Sequence, residues 1–253
     1  MSKVYLVASG KGGTGKTMFA VNLGSSYAQK GYKVVIVDMD MGLRNLDLYL
    51  GLENNVVYDV YDVMSGVCRI KQALIKDKRF ENLYIMGSSP EREKGDLTPL
   101  HVRVLCEKLK REFDYVIVDA PSGIDDGMVL ASSGADTAII VATPEYAALR
   151  DADTLDRTVL KLGIKKRYLI VNKLVSEMMD AGYIPKIEEI TQIMRARLMG
   201  VIQFDMNINI STNLGEPIVL KKESYICKNF SNIVDRLIKE ELTEIRRGNR
   251  VYD

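Results

Sequence analysis

Tryptophan is missing from this 253-residue chain, histidine occurs once and cysteine only three times. Cys68, Cys106 and Cys227 are odd in number, far apart and without a C-x-x-C pair. Together with a lone His101, this argues against a zinc site and for reduced, mostly buried thiols in a cytoplasmic setting. His101 reads as a helix-surface residue rather than a catalytic base. An excess of either charge is missing too: 35 basic against 34 acidic residues leave a formal net charge of +1. The signs are interspersed, so a protein that coats nucleic acid is not indicated, although a local basic patch stays open. No apolar run approaches the length of a membrane span, and the five apolar residues Val4–Ala8 are too few for a signal-peptide core. Export and membrane spanning are therefore not expected. Outside one loop the six prolines and the glycines do not cluster, so no linker, repeat or low-complexity segment divides the chain. With 47% apolar residues, a single large α/β domain over residues 1–253 is expected rather than two.

What is present begins at the amino terminus. The run Val4-Tyr5-Leu6-Val7-Ala8 passes straight into Gly10-Lys11-Gly12-Gly13-Thr14-Gly15-Lys16-Thr17, the G-x-x-x-x-G-K-[ST] phosphate loop in strand-to-helix context. Its glycines permit backbone conformations that a side chain forbids, so successive N–H groups turn inward as an anion nest at the positive end of the next helix. A nucleoside triphosphate is the expected ligand, with Lys16 reaching its β- and γ-phosphates and the Thr17 hydroxyl on Mg²⁺. The plainer alternative, a glycine-rich turn with an accidental lysine, does not account for the preceding strand and the amphipathic stretch that follows. Lys11 is not required by the general pattern. Next to Gly10 it is expected on the outer rim of the nest, from where it could reach the phosphates of a facing subunit. A cation supplied in trans acts like an arginine finger, worth about 10³ to 10⁵ in rate. The alternative is a solvated surface lysine.

Apolar runs predict strands at 3–8, 33–38, 82–86, 114–119, 136–142, 167–171 and 200–203. Three- and four-residue spacing predicts helices near 16–30, 98–112, 145–161 and 186–198. This alternation implies right-handed crossovers and a doubly wound, mostly parallel sheet with helices on both faces, the phosphate loop lying at its strand ends. Asp38 and Asp40 follow the apolar run Lys33–Val37, and Asp119 ends Tyr115–Val118, which brings carboxylates to the edge where open α/β folds bind ligands. For each aspartate alone a helix N-cap is the alternative.

Lys11 to Thr17 resembles the deviant Walker A motif of the MinD/ParA ATPases, P-loop proteins that dimerise around two ATP molecules. The likeness continues through Val37-Asp38-Met39-Asp40-Met41-Gly42-Leu43-Arg44-Asn45-Leu46-Asp47, similar to switch I, through Val56–Asp59 and Gln72–Arg79, and through Tyr115–Gly123, similar to Walker B and switch II. Thr143-Pro144-Glu145 to Arg150-Asp151 is similar to the dimer- and partner-facing helix, and Gly215–Val219 to a late segment of the family. The resemblance implies a P-loop NTPase fold binding ATP or ADP with Mg²⁺. Gly12, Gly13, Thr14, Gly15, Lys16, Thr17 and Met18 would cradle the nucleotide, and Lys11, Lys16 and Asp40 would serve hydrolysis, Asp40 by positioning water. Asp38, Asp119 and Thr17 would organise the metal shell, and the Asn172 amide would read the adenine edge, having both a donor and an acceptor. One departure concerns Val201-Ile202-Gln203-Phe204-Asp205, where the family pattern is V-I-P-x-D; the lost proline implies a looser loop near the base pocket.

The resemblance further implies an ATP-dependent homodimer that acts as a spatial switch for division-site placement, with partners of the MinC and MinE type or other polar regulators. A ParA-like partition ATPase on DNA, or a regulator of flagellar or secretion assembly with weak hydrolysis, are the alternatives. The helix Phe230–Leu242 reads as packing on the sheet. In the tail 243–253 acids offset the basic residues and Gly248 interrupts the helix, so a clear membrane-targeting helix is not expected. The expected location is the cytoplasm, with peripheral attachment at the inner membrane face as the weaker option.

Overall fold

The computed structural model describes residues 2–41, 44–88 and 97–249, with side chains as far as Thr243. In chain order its first half runs β1 (Lys3–Ala8), α1 (Lys16–Gln29), β2 (Val34–Asp38), α2 (Val60–Met64), α3 (Ile70–Ala73), β3 (Ile75–Lys76), β4 (Leu83–Met86), α4 (Pro99–Leu109) and β5 (Tyr115–Asp119). There follow α5 (Asp126–Ser132), β6 (Thr137–Ala142), α6 (Tyr146–Lys161), β7 (Lys166–Leu174), α7 (Ser176–Asp180), α8 (Ile187–Ile193), β8 (Arg197–Gln203), α9 (Met206–Asn213) and α10 (Tyr225–Asn249). The strands make one eight-stranded sheet, β3-β4-β2-β5-β1-β6-β7-β8, parallel except where β3 pairs with β4.

Strands buried on both faces must be apolar at nearly every position, and the period of two then sends alternate residues to opposite layers. In β1, Val4, Leu6 and Ala8 join the layer built by Leu105 and Leu109 of α4, Met128 of α5 and Leu149, Leu155 and Val159 of α6. Tyr5 and Val7 join the opposite layer, with Phe19, Leu23 and Tyr27 of α1 and Phe230, Ile233, Val234 and Leu237 of α10. The helices on both faces are the expected double winding. With β1 between β5 and β6, the loop leaving its carboxyl end emerges beside the ends of β2 and β5. Register puts Asp38 directly opposite Asp119, so two carboxylates arrive at one level of the sheet edge.

The sequence-based expectations depart from the fold most clearly in two helices. Helix 186–198 stops at Ile193: Met194 turns extended at ψ 134°, and β8 begins at Arg197, paired with Tyr168 of β7. Sheet pairing there overrides helical spacing. The last helix runs from Tyr225 to Asn249 and passes through Gly248, because one glycine costs a helix only about 1 kcal/mol relative to alanine. The expectation for the tail's charges lies outside the described residues, as do Gly42 and Leu43 of the switch I segment. Of the thiols only Cys106 is buried, Cys68 and Cys227 being half-buried. His101 sits at the third position of α4, where its Nδ1 accepts the Thr98 N–H at 3.0 Å as half of a capping box.

Candidate nucleotide site

The phosphate loop is tied at its base and open at its centre. The Ser9 hydroxyl donates to the Lys11 carbonyl at 3.0 Å, and the Gly123 N–H donates to the Ser9 carbonyl at 2.9 Å, joining the loop to the segment after β5. Gly13 and Gly15 both adopt positive φ, 78° and 90°. Gly15 is the N-cap of α1 and no side chain caps it. The amides of the first turn of α1 are therefore left for an external acceptor, at the end where the helix dipole favours negative charge. A methyl group on Gly15 would lie 2.3 Å from Asn172 Nδ2. Gly15→Ala is thus expected to lower stability by about 1 to 3 kcal/mol through backbone strain and displacement of Asn172. It should also abolish nucleotide binding, which thermal melts with and without Mg·ADP would show as a lost ligand-induced shift.

Behind the loop, charges converge. Lys16 Nζ donates to Asp119 Oδ1 at 2.9 Å, and both side chains are buried. The lysine expected at the phosphates is held by the aspartate expected at the metal. Burial pulls the Lys16 ammonium down, but Asp119, Asp40 and Asp38 together outweigh it and leave it raised. Asp38 is buried beside Asp119 and accepts the Asp40 N–H at 2.9 Å and the Leu46 N–H at 3.4 Å. Burial first, and then the charge of Asp119, push its carboxyl up to about 7. Asp40 is half-buried, and its carbonyl accepts the Ser88 hydroxyl at 3.3 Å. Lys11 and Thr17 are half-buried as well.

These residues fit Mg²⁺ and a triphosphate. Among the described residues no three carboxylate, histidine or cysteine groups converge on one point. The donor set of Asp38, Asp119 and the Thr17 hydroxyl is sparse, as suits a cation that keeps several waters and takes substrate phosphates as ligands. Three carboxylates, Asp119, Asp40 and Asp38, act on the one Lys16 ammonium, a local excess of negative charge that suits a divalent cation.

Beside the loop lies a cavity of about 240 Å³, walled by Met18 of α1, Tyr49, Asn172, Phe204 and, from α9, Ile208 and Thr212. The Asn172 amide nitrogen donates to the Thr14 carbonyl at 2.7 Å, so it steadies the loop, while its Oδ1 is buried with no partner among the described residues. Thr14 Oγ1 is in the same condition. An acceptor left over in a cavity wall suits a base that carries an amino group. Sequence reasoning missed Lys173, a non-glycine residue at φ 58° whose Nζ donates to the Gly13 carbonyl at 2.7 Å. The only sign of it was its place next to Asn172, just after the apolar run of β7. The segment 203–205, where the family's proline is lost, is hydrogen-bonded at two points. The Phe204 N–H donates to the Leu174 carbonyl at 2.8 Å and Asp205 caps α9 through the Asn207 N–H at 2.7 Å, so this wall is pinned.

The chain is similar to known proteins over nearly its whole length. The family described as "ParA: NUBPL iron-transfer P-loop NTPase" matches residues 1–238. The septum site-determining protein MinD of Bacillus subtilis is 40% identical over 244 residues, 96% of this chain and 91% of that protein. The MinD of Synechocystis is 42% identical over 243 residues, with the same shares of 96% and 91%. Among solved structures, the MinC:MinD cell division protein complex of Aquifex aeolicus superposes with a TM-score of 0.88 at 35% identity, covering 94% of this chain and 96% of that one. MinD complexed with Mg-ADP from Pyrococcus horikoshii gives a TM-score of 0.83 at 28% identity, with the same coverage of 94% and 96%.

Proposed function

We propose a function from one premise: this chain belongs to the MinD branch of the ParA family of P-loop NTPases. It is a MinD-type ATPase, a nucleotide-controlled switch for division-site placement that dimerises with ATP and resets by hydrolysis. The observation that carries the reading is the uncapped first turn of α1 next to buried Lys16, Asp38 and Asp119. In-line phosphoryl transfer needs positioning and charge stabilisation rather than a covalent nucleophile, which this site supplies without histidine or cysteine. Loop amides and Lys16 hold the β- and γ-phosphates, and Asp40 orients the attacking water. Lys11 of a facing protomer stabilises the developing charge. Bound Mg²⁺, held through Thr17, Asp38 and Asp119, supplies charge neutralisation on the phosphates. A MinC-type partner reads the helix α6, whose Arg150 is exposed. The iron-transfer role in the family's description is not carried over, since the three cysteines form no C-x-x-C pair.

Sedimentation of the protein alone, with anionic liposomes and with DNA, each in Mg·ATP and Mg·ADP, tests this. The expected result is a dimer in ATP alone, slow phosphate release and no retention on DNA. ATP-dependent, salt-sensitive DNA retention would overturn the division role in favour of partition. Calorimetry showing no Mg·ATP binding would end the ATPase reading altogether. Among the described residues no helix is long and apolar enough to cross a membrane.

A further inference from the structure

Arg79 belongs to none of the phosphate, metal or switch motifs, yet its guanidinium binds a buried carboxylate and two main-chain carbonyls. Nε and Nη2 donate to the two oxygens of Asp77 at 2.9 and 2.7 Å, and Asp77 is itself buried. The Arg79 N–H also donates to Asp77 Oδ1 at 2.9 Å. With one edge fixed by that carboxylate, the fork's remaining donors reach two main-chain carbonyls: Leu50 O at 2.6 Å and Gly215 O at 2.7 Å.

Both carbonyls stand at the end of a helical element. Leu50 closes the 3₁₀ turn Leu48–Leu50, whose C-cap is Gly51, and Gly215 follows α9, whose C-cap is Leu214. Orphan carbonyls at helix ends are where a cation binds best. The two glycines, at φ 60° and 65°, lie against each other so closely that a Cβ on Gly215 would come within 2.7 Å of the Gly51 nitrogen. Arg79 thus locks the end of one element to the end of another across a contact without side chains.

Those two elements wall the nucleoside cavity: Tyr49 comes from the 3₁₀ turn, and Ile208, Asn209 and Thr212 come from α9. The Tyr49 phenol is raised by burial and then by the charge of Asp119, with Lys16 opposing. Tyr49 also lies just beyond Asp47, whose buried carboxylate accepts the Leu48 N–H and pairs with Arg44 at 2.7 Å. The wall is therefore anchored at both ends, by Asp47 before it and Arg79 after it.

We infer that Arg79 is a positioning residue for the nucleoside side of the site, fixing Tyr49 against α9 and setting affinity for base and ribose without touching the phosphate loop. This rests on the nucleotide reading above. A lysine at 79 offers one point charge and cannot serve a carboxylate and two carbonyls in one plane.

Calorimetric titration of the full chain with Mg·ADP and with inorganic tripolyphosphate, for wild type, Arg79→Lys, Arg79→Ala and Tyr49→Leu, separates the contributions. Arg79→Lys and Tyr49→Leu are each expected to weaken ADP by about tenfold while tripolyphosphate stays within about twofold, because a displaced wall costs only the ligand that touches it. Should Arg79→Ala not fold, the lysine variant and Tyr49→Leu, which leaves the Asp77 cluster intact, carry the test. Both ligands weakened alike, or neither weakened, would overturn the inference. Wild-type protein that binds tripolyphosphate but not ADP overturns it as well, and wild type that binds neither removes the nucleotide reading with it.

Discussion

Asp38→Asn is expected to make the protein, prepared without nucleotide or metal, more stable at pH 8 and nearly inert as an ATPase. The carboxyl is buried opposite Asp119, and its titration is pushed up from 3.8 to about 7. A folded-state value above the unfolded one means the fold favours the protonated acid. That stabilisation is full below about pH 4 and is lost as pH rises through about 7. At pH 8 wild type carries an unfavourable buried charge, worth about 2 to 4 kcal/mol for a shift of this size. Asparagine removes the charge and keeps an oxygen for the Asp40 N–H. The melting temperature of the variant should exceed that of wild type by roughly 5 to 10 °C at pH 8, and the gap should close as the buffer is brought down toward pH 4. Phosphate release should fall at least about a hundredfold, since a preorganised charge at the metal shell is gone. A variant melting below wild type at pH 8 would show that Asp38 is not the strained member of the cluster. Strain held at a functional site and relieved by a disabling substitution is the usual trade between stability and activity.

The same cluster shows why much of the site was legible in the sequence. Strands ending in aspartate carry their own position: a parallel strand buried on both faces has to be apolar until it reaches the sheet edge, so the first charged residue marks that edge. Asp38 and Asp119 declare themselves this way, and the phosphate loop follows β1 for the same reason; Asn172 is uncharged and shows only as the residue that ends the apolar run of β7, two positions before the strand stops at Leu174. Register is not written in any one strand. That Asp38 stands opposite Asp119, and that Lys16 pairs with Asp119 at 2.9 Å, depends on β2 and β5 being neighbours although separated by two other strands in the chain. Contacts made by main-chain carbonyls were hidden more completely. The main-chain carbonyls that Arg79 and Lys173 bind belong to every residue, so no partner residue type betrays those contacts, and only the Asp77 side of the Arg79 cluster has a side chain to signal it; Arg79 sat in a segment that the family resemblance marked without supplying a reason. The local errors have a similar origin. Residues 194–198 follow helical spacing, yet the open edge of β7 offers hydrogen bonds that a helix end cannot match, and the window of sequence around them holds no trace of that edge.

Lys11→Ala is the sharper test of how two copies cooperate. The ammonium stands in the loop between Gly10 and Gly12, while Lys16, in the first turn of α1, is buried with its nitrogen on Asp119. On the proposed reading these two lysines, five residues apart, have different duties: Lys16 serves its own protomer, and Lys11 is assigned to the facing one. If so, Lys11→Ala should keep Mg·ADP affinity within about threefold, since the amides, Lys16 and the cavity are untouched. It should eliminate the ATP-dependent dimer in sedimentation velocity and lower phosphate release by about 10³-fold or more, the range of a cation delivered across an interface, roughly 4 to 7 kcal/mol of transition-state stabilisation. Lys16→Ala should instead weaken nucleotide binding itself, and it also strands Asp119 as a buried carboxylate without its ion-pair partner, which costs about 3 to 5 kcal/mol in folding stability. Mixing the two variants adds a check that neither gives alone. In a heterodimer, a Lys16→Ala protomer still presents an intact Lys11 to a Lys11→Ala protomer that binds ATP through its own Lys16, so one competent site is rebuilt. Partial recovery of phosphate release in the mixture, with none in either variant separately, is the outcome required by a lysine acting across the interface. A Lys11→Ala protein that still dimerises with ATP, or a mixture as inactive as its components, would return Lys11 to the status of a surface residue.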